Sequence, residues 1–270
     1  MNNMITRAIS GLVFVVLLIS LILLNRYTLF GLLLVLMLFC IYEFKNLVKL
    51  KNNWIYVSSI SLLLTVSSPI INFEKSETIF RSIFFISLFI PLLQHLFSEK
   101  NIQDVLGKYF LTIVYIAIPF CSLMLIPFVN LGIDSNETFI PELVLGLFIL
   151  IWSNDTFAYL VGRTFGKHKL FERVSPKKTI EGFLGGFIFT IIAGIILSYS
   201  FDTINVFHWI VISIITSFTG VLGDLIESKF KREANIKDSS NFIPGHGGFL
   251  DRLDSIIFTA PFIYIYLQIF

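Results

Sequence analysis

Charge is scarce in this chain. Of its 270 residues only 14% are Asp, Glu, Lys or Arg and 56% are hydrophobic, against roughly 25% charged in a soluble globular domain. That deficit excludes an ordinary water-soluble protein. Cysteine is nearly absent as well: Cys40 and Cys121 both sit inside apolar runs, away from any CxxC or Cys/His cluster. Packing is their expected role, with neither a disulfide nor a zinc site. No repeat of fixed period and no low-complexity tail occurs, so a solenoid or a disordered arm has no support. No small-x-small cleavage site follows the first apolar run, which therefore reads as an uncleaved first span.

What the chain does have is long apolar stretches, thirty Phe and a mean hydropathy of +0.84. The stretches fall at about 8–24, 28–44, 53–73, 79–97, 109–130, 138–161, 180–200, 206–226 and 250–270, and a bilayer-spanning helix needs about 20 residues. They are uniform, whereas the strands of a membrane barrel alternate. The expected fold class is an all-α polytopic integral membrane protein of about nine transmembrane helices. With the N-terminus inside, 16 of the 20 Lys and Arg fall on the cytoplasmic side, among them Lys45, Lys108, Arg163, Lys177, Lys178, Lys231 and Lys237. The positive-inside rule thus predicts N-in/C-out. The net charge of +2 is too small to point to a partner, and no nucleic acid is expected.

Charge is also uneven along the chain. In an N-terminal block of about four helices (1–108), the spans themselves contain almost no internal charge. The block 109–270, about five helices, has two cytoplasmic loops, 162–179 and 227–249, that hold ten of those sixteen cations. Chemistry is expected in this second block. Its first constellation is Ser153-Asn154-Asp155 through Gly162-Arg163 and Gly166-Lys167. An ionised carboxylate inside a span costs roughly 2.5–3.5 kcal/mol on insertion scales, so Asp155 should face protein, water or a cation. A structural ion pair with Arg163 or Lys167 is an equal alternative.

The second constellation, Ser175-Pro176-Lys177-Lys178-Thr179-Ile180-Glu181-Gly182, opens the span at 180–200. It reads both as a helix N-cap and as an anion seat, where free amides and two ammonium groups attract a polyphosphate. Taken without the next segment, the two lysines are better explained as membrane anchors. The third runs from Gly223-Asp224 through Glu227, Ser228, Lys231, Arg232, Lys237 and Asp238 to Pro244-Gly245-His246-Gly247-Gly248, then Asp251-Arg252-Leu253-Asp254. Asp224 ends one span and Asp251 begins the next, so the loop can bring their oxygens together at the cytoplasmic face. Carboxylates beside phosphate-seeking cations suit a Mg²⁺-nucleotide site. Simple pairing, such as Glu227 with Lys231 at helical spacing, accounts for individual charges but not for their crowding. His246 is expected to contact an anion, and His168 and His208 to be surface or interfacial residues.

Taken together, Ser228-x-Phe230-Lys231-Arg232-x4-Lys237-Asp238-x-Ser240-x2-Ile243-Pro244-x-His246-Gly247-Gly248-Phe249-x-Asp251-Arg252-Leu253-Asp254 resembles the signature of the phosphatidate cytidylyltransferases, or CDP-diacylglycerol synthases. Asp155-x2-Ala158-Tyr159-x2-Gly162-Arg163 and the Ser175–Gly182 segment resemble that family's other motifs, in the same order. The resemblance is firm from Asp155 onward and weak over the first four spans. It implies transfer of a cytidylyl group from CTP to phosphatidate in the bilayer, giving CDP-diacylglycerol and pyrophosphate. It further implies Asp224, Asp251 and Asp254 as ligands of Mg²⁺, with Mn²⁺ an alternative and an additional monovalent cation compatible with the site. Lys231, Arg232, Lys237, Asp238, His246 and Arg252 then fall among the catalytic groups. Asp155, Arg163, Ser175, Lys177, Lys178, Thr179, Glu181, Ser228, Gly247 and Gly248 fall among the substrate contacts. The expected setting is a bacterial inner membrane, with a homodimer left open. Rival readings are a polyprenol or dolichol kinase, an ether-lipid cytidylyltransferase, an ion-coupled transporter and a purely structural membrane subunit.

Overall fold

Asn25 separates the first two helices and shows how local sequence sets their ends. Its backbone is extended, its side-chain oxygen accepts from the amides of Tyr27 (2.9 Å) and Thr28 (3.0 Å), and Thr28 Oγ1 accepts from Asn25 N (3.2 Å). This reciprocal cap satisfies donors that the first helical turn leaves without partners. In this computed structural model, which describes residues 3–96, 102–129, 139–245 and 247–270, α1 spans Asn3–Leu24 and α2 Arg26–Leu47. There follow α3 (Trp54–Ser67), α4 (Glu74–Leu96) and α5 (Ile102–Thr112); a π turn over Ile113–Ala117 leads into α6 (Ile118–Leu125) and a 3-10 turn over Ile126–Phe128. The remaining elements are α7 (Pro141–Phe165), an antiparallel hairpin of β1 (Lys169–Phe171) and β2 (Ser175–Thr179), α8 (Ile180–Ser200), α9 (Val206–Glu233) and α10 (Leu250–Ile269).

Among the described residues each of the expected apolar runs overlaps helix, although 53–73 is helical only over Trp54–Ser67. The architecture is that of an all-α polytopic membrane protein carrying one small hairpin. Among the described residues six helical stretches are long and apolar enough to cross a membrane: Arg26–Leu47, Ser76–Gln94, Leu106–Phe128, Pro141–Phe165, Ile180–Ser200 and Val206–Glu233. Helix α3, with 14 residues, is only roughly 21 Å long, short of the hydrocarbon thickness of about 30 Å. Helix α10 opens with Asp251, Arg252 and Asp254. The expected loops are shorter than the sequence suggested, because α7 runs to Phe165, the hairpin fills 169–179, and α9 continues through Glu227 to Glu233.

The chain divides into two compact units. One unit is Met1–Leu125 with Asp238–Arg252; the other is Ile126–Lys237 with Leu253–Phe270. Packing explains the excursion of 238–252 into the first unit. Phe249 stacks on Phe39 at 4.6 Å and meets Phe14 at 6.2 Å, while Phe242 meets Phe39 edge-on at 5.3 Å. Within this unit Leu29, Leu33, Met37, Ile41 and Phe44 form the buried side of α2. Ser58, Ser87 and Tyr109 join α3, α4 and α5 in a buried hydroxyl cluster, with Ser58 Oγ to Ser87 Oγ at 2.7 Å and Tyr109 OH also close to Ser58. Such bonds act as interhelical glue in an apolar setting, at about 0.6 kcal/mol each on average.

In the second unit glycine lets backbones touch. A Cβ on Gly182 would lie 2.7 Å from Ala158 O and 3.1 Å from Gly162 Cα, and one on Gly223 would lie 2.6 Å from Asp254 O. Small residues at such crossings allow the close approach on which helix association in membranes relies. The end of α7 is thereby fixed on the start of α8, and the end of α9 on the first turns of α10.

Candidate functional site

Three carboxylates come together where α9 passes α10. Oxygens of Asp224, Glu227 and Asp254 lie within 4.8 Å of one another. Asp224 and Glu227 are one turn apart and share a face of α9, and the Gly223 contact brings Asp254 up to them. Like charges at this separation repel by about 3 kcal/mol per pair at an effective dielectric of 20. Cations hold the group together: Lys178 pairs with Asp224, and Lys231 pairs with Glu227, which is fully buried. Ser228 Oγ donates to Asp224 Oδ1 at 3.1 Å.

Lys178 comes from β2, so the hairpin carries the second sequence constellation onto the third. A cavity of about 520 Å³ opens at this junction, lined by Asp155, Arg163, Lys177, Lys178, Thr179 and Asp224 among others, a volume in the usual range of small-molecule sites. Thr179 caps α8 by accepting from Gly182 N at 3.1 Å. Arg163 donates to Tyr159 OH at 3.4 Å. Ser175 is half-buried at the start of β2, paired with Phe171. Arg232 and Lys237 are exposed near the end of α9 and just beyond it.

Glu181 serves the hairpin rather than the cavity. Its Oε2 accepts from the amides of Lys167 (3.0 Å) and His168 (3.2 Å), and its Oε1 meets His168 Nδ1 at 2.6 Å. His168, expected as a surface or interfacial residue, thus helps hold the start of the hairpin that presents Lys177 and Lys178. His208, with the same expectation, lies 2.7 Å from Tyr266 OH through Nδ1.

The first unit holds the other part of the signature segment. Asp251 Oδ2 accepts from Ser239 N (2.9 Å), Ser239 Oγ (3.0 Å) and Gly248 N (2.8 Å). Gly247 has φ +89°, and a Cβ there would sit 2.8 Å from Asp251 Oδ2, so only glycine fits the turn. Gly248 packs against Glu43 Oε2, 2.5 Å from where its Cβ would be. Gly247 and Gly248, expected as substrate contacts, pack against the carboxylates of Asp251 and of Glu43 in α2, respectively. Asp238 and Arg252 are exposed in this unit. His246 lies outside the described residues.

Two functional candidates were missed in the sequence. Glu43, in α2, is 1% exposed and accepts from Ser240 Oγ (2.5 Å), Leu250 N (2.7 Å), Ser239 Oγ (2.9 Å) and Phe249 N (3.0 Å). Its one signal was an acid within the apolar run Leu38-Phe39-Cys40-Ile41-Tyr42-Glu43. Glu227 was read only as a partner of Lys231; it makes that pair and also joins the carboxylate cluster.

The donor set suits a hard divalent cation. Mg²⁺ is held by one or two carboxylates together with phosphate oxygens and water, and Asp224, Glu227 and Asp254 supply the carboxylates beside a cavity lined by lysine and arginine.

Known proteins resemble the chain in the same terms. It is 47% identical over 125 residues to a phosphatidate cytidylyltransferase of Staphylococcus haemolyticus, covering 46% of this chain and 48% of that protein. Identity is again 47% over 126 residues for the enzyme of that name in Staphylococcus saprophyticus, with the same shares. For that of Staphylococcus aureus strain COL it is 46% over 125 residues, again covering 46% and 48%. The chain thus spans about half the length of the curated relatives it matches. The pattern of the cytidylyltransferase family, in contrast, is matched over residues 5–270, and the chain belongs to that family.

Proposed function

We propose that the protein transfers a cytidylyl group from CTP to phosphatidate, releasing pyrophosphate and leaving CDP-diacylglycerol in the bilayer. The observation that carries this reading is the meeting, within one unit, of a three-carboxylate cluster with a cavity lined by Arg163, Lys177 and Lys178. The names of the staphylococcal relatives support the same reaction. A divalent cation, Mg²⁺ or alternatively Mn²⁺, would be held by Asp224, Glu227 and Asp254, and would neutralise charge developing on the transferred phosphoryl group.

The chain's own residues then do the positioning. Lys177, Lys178 and Arg163 draw the triphosphate into the cavity and offset its charge, and Asp155 offers an acceptor on the cavity wall. Lys231 pairs with Glu227 and holds it in place. The lipid phosphate is already anionic, so no general base is needed, and the obstacle is bringing two anions into line. Asp251, expected as a metal ligand, has its Oδ2 committed to Ser239 and Gly248; we read it as holding the signature loop in shape. The setting we infer is a bacterial inner membrane, N-in/C-out, with the site at headgroup depth on the cytoplasmic side, where a water-soluble nucleotide meets a lipid. Extraction of phosphatidate into water would cost about 0.8 kcal/mol per CH₂.

Purified protein incubated with α-labelled CTP, Mg²⁺ and phosphatidate tests the reading. Label in the lipid with stoichiometric pyrophosphate is the expected result. Release of CDP with phosphorylated lipid would make the protein a kinase, and ion uptake without any lipid product would make it a transporter.

A further inference from the structure

Both oxygens of Asp224 carry a donor. The ammonium of Lys178 pairs with Oδ2, and the hydroxyl of Ser228 donates to Oδ1 at 3.1 Å. A Mg²⁺ ion sits about 2.1 Å from each ligand oxygen and needs an open lone pair there. Ser228 is no obstacle, because a neutral hydroxyl rotates and can also accept; an ammonium has donors only. An ammonium and a dication on one carboxylate stand close enough to repel strongly. One of the two has to leave.

Lys178 is the one free to turn. Its side chain is 26% exposed and lines the cavity of about 520 Å³ beside Asp224, so its flexible stem has room to swing. The backbone beneath it stays pinned: Glu181 accepts from the amides of Lys167 and His168, and Lys169 Nζ donates to Pro176 O at 2.7 Å. A change of partner by Lys178 therefore needs side-chain rotation only. Lys231 is the contrast, since it is 13% exposed and pairs along α9 with the buried Glu227. Charge favours the same choice. Asp224, Glu227 and Asp254 are three carboxylates; a dication with Lys231 balances them, whereas a dication with both lysines overcompensates.

We propose that Lys178 is an exchangeable cation: it holds Asp224 until the divalent ion takes that carboxylate, then turns to the triphosphate in the cavity. The proposal rests on the metal site and reaction proposed above. It gives the hairpin lysine two successive partners. By linkage, ion and triphosphate then bind more tightly together than apart, because the triphosphate gives the displaced ammonium a new partner.

Mn²⁺ binding without nucleotide or lipid, read by electron paramagnetic resonance, tests the exchange in the absence of turnover. Lys178→Met keeps a long side chain and removes the charge; it is expected to tighten Mn²⁺ roughly fivefold, the strength of a partly exposed ion pair. Lys177→Met removes the same charge from the cavity wall and should change Mn²⁺ affinity by less than about twofold. Unchanged or weaker binding in Lys178→Met, or equal tightening in both variants, would overturn the proposal. Lysine acetylation of the parent protein, read by mass spectrometry, is an arm that needs no variant. Mg²⁺ alone should raise the reactivity of Lys178 relative to Lys177 by roughly threefold, and CTP added with Mg²⁺ should bring it back down. Reactivity of Lys178 that Mg²⁺ leaves unchanged or lowers would equally overturn the proposal. A parent protein that binds no Mn²⁺ would remove the metal site and the exchange together. A parent that shows the exchange but makes no CDP-lipid would sink the proposed reaction and leave the exchange standing.

Discussion

Replacing Glu43 by alanine should loosen the signature loop without disturbing the rest of the molecule. The carboxylate receives four hydrogen bonds, two from the hydroxyls of Ser239 and Ser240 and two from the backbone amides of Phe249 and Leu250. The serines are half-buried and can turn to water, but Leu250 is fully buried and Phe249 is packed on Phe39. The two amides thus dominate. At about 1.5 kcal/mol for each bond to a charged acceptor, their loss amounts to about 3 kcal/mol, or a little over two factors of ten in the opening equilibrium of the loop. Glu43→Gln retains one acceptor oxygen but turns an NH₂ toward a donor, so about 2 kcal/mol is expected. Hydrogen exchange followed by mass spectrometry in nanodiscs reads this directly. Peptides covering 247–252 should exchange roughly a hundredfold faster in Glu43→Ala, and those covering the 169–179 hairpin at the parent rate. Unchanged exchange at Phe249 and Leu250 would refute the reasoning, because nothing else described for Glu43 could explain its burial.

Three further outcomes follow from the second unit. Asp224→Asn and Asp254→Asn should each lower turnover by at least about a thousandfold, as loss of a charged transition-state contact does, and should weaken Mn²⁺ binding seen by electron paramagnetic resonance; unaltered binding would remove the metal assignment. Lys178→Ala should raise the KM for CTP and leave Asp224 without this ion-pair partner, and its effect should exceed that of Lys177→Ala, whose side chain lines the cavity; equal effects in steady-state kinetics would count against a special role for Lys178. Gly182→Val would drive a branched side chain onto Ala158 O, 2.7 Å from the Cβ position, and should lower the thermal midpoint by an amount equivalent to about 2 kcal/mol or more; a midpoint equal to the parent's would show that α7 and α8 can separate freely.

Apolar run length was enough to locate most of the helical chain among the described residues, since hydrocarbon patterning over about 20 residues is a strong signal, although α5 begins at Ile102, ahead of the run read from 109. Helix ends were less legible. Nothing in Glu227-Ser228-Lys229-Phe230-Lys231 distinguishes a charged loop from the charged extension of α9 that the structure has, because charge run and helix are compatible once the chain leaves the apolar core. The motif residues Asp224, Asp254, Lys178 and Arg163 stand out in the sequence because charges near apolar spans are costly and therefore conspicuous. Glu43 was not, because its partners, Ser239, Ser240, Phe249 and Leu250, lie about 200 residues away, and no local pattern signals so distant a pairing. The same distance hid the way 238–252 joins the first unit.

Helix α9 has one more consequence. Its 28 residues, begun by the Asn205 cap, extend roughly 42 Å, which exceeds the hydrocarbon layer by roughly 12 Å. Measured from the cap, about 30 Å of helix ends near residue 225, beside Asp224, and Glu227, Lys231 and Arg232 follow beyond that length. The helix is in effect a depth gauge. Inserting or deleting a single residue below Asp224 would shift its height by only about 1.5 Å but swing it by about 100° around the axis, so angular register, far more than elevation, is what this stretch of chain must preserve.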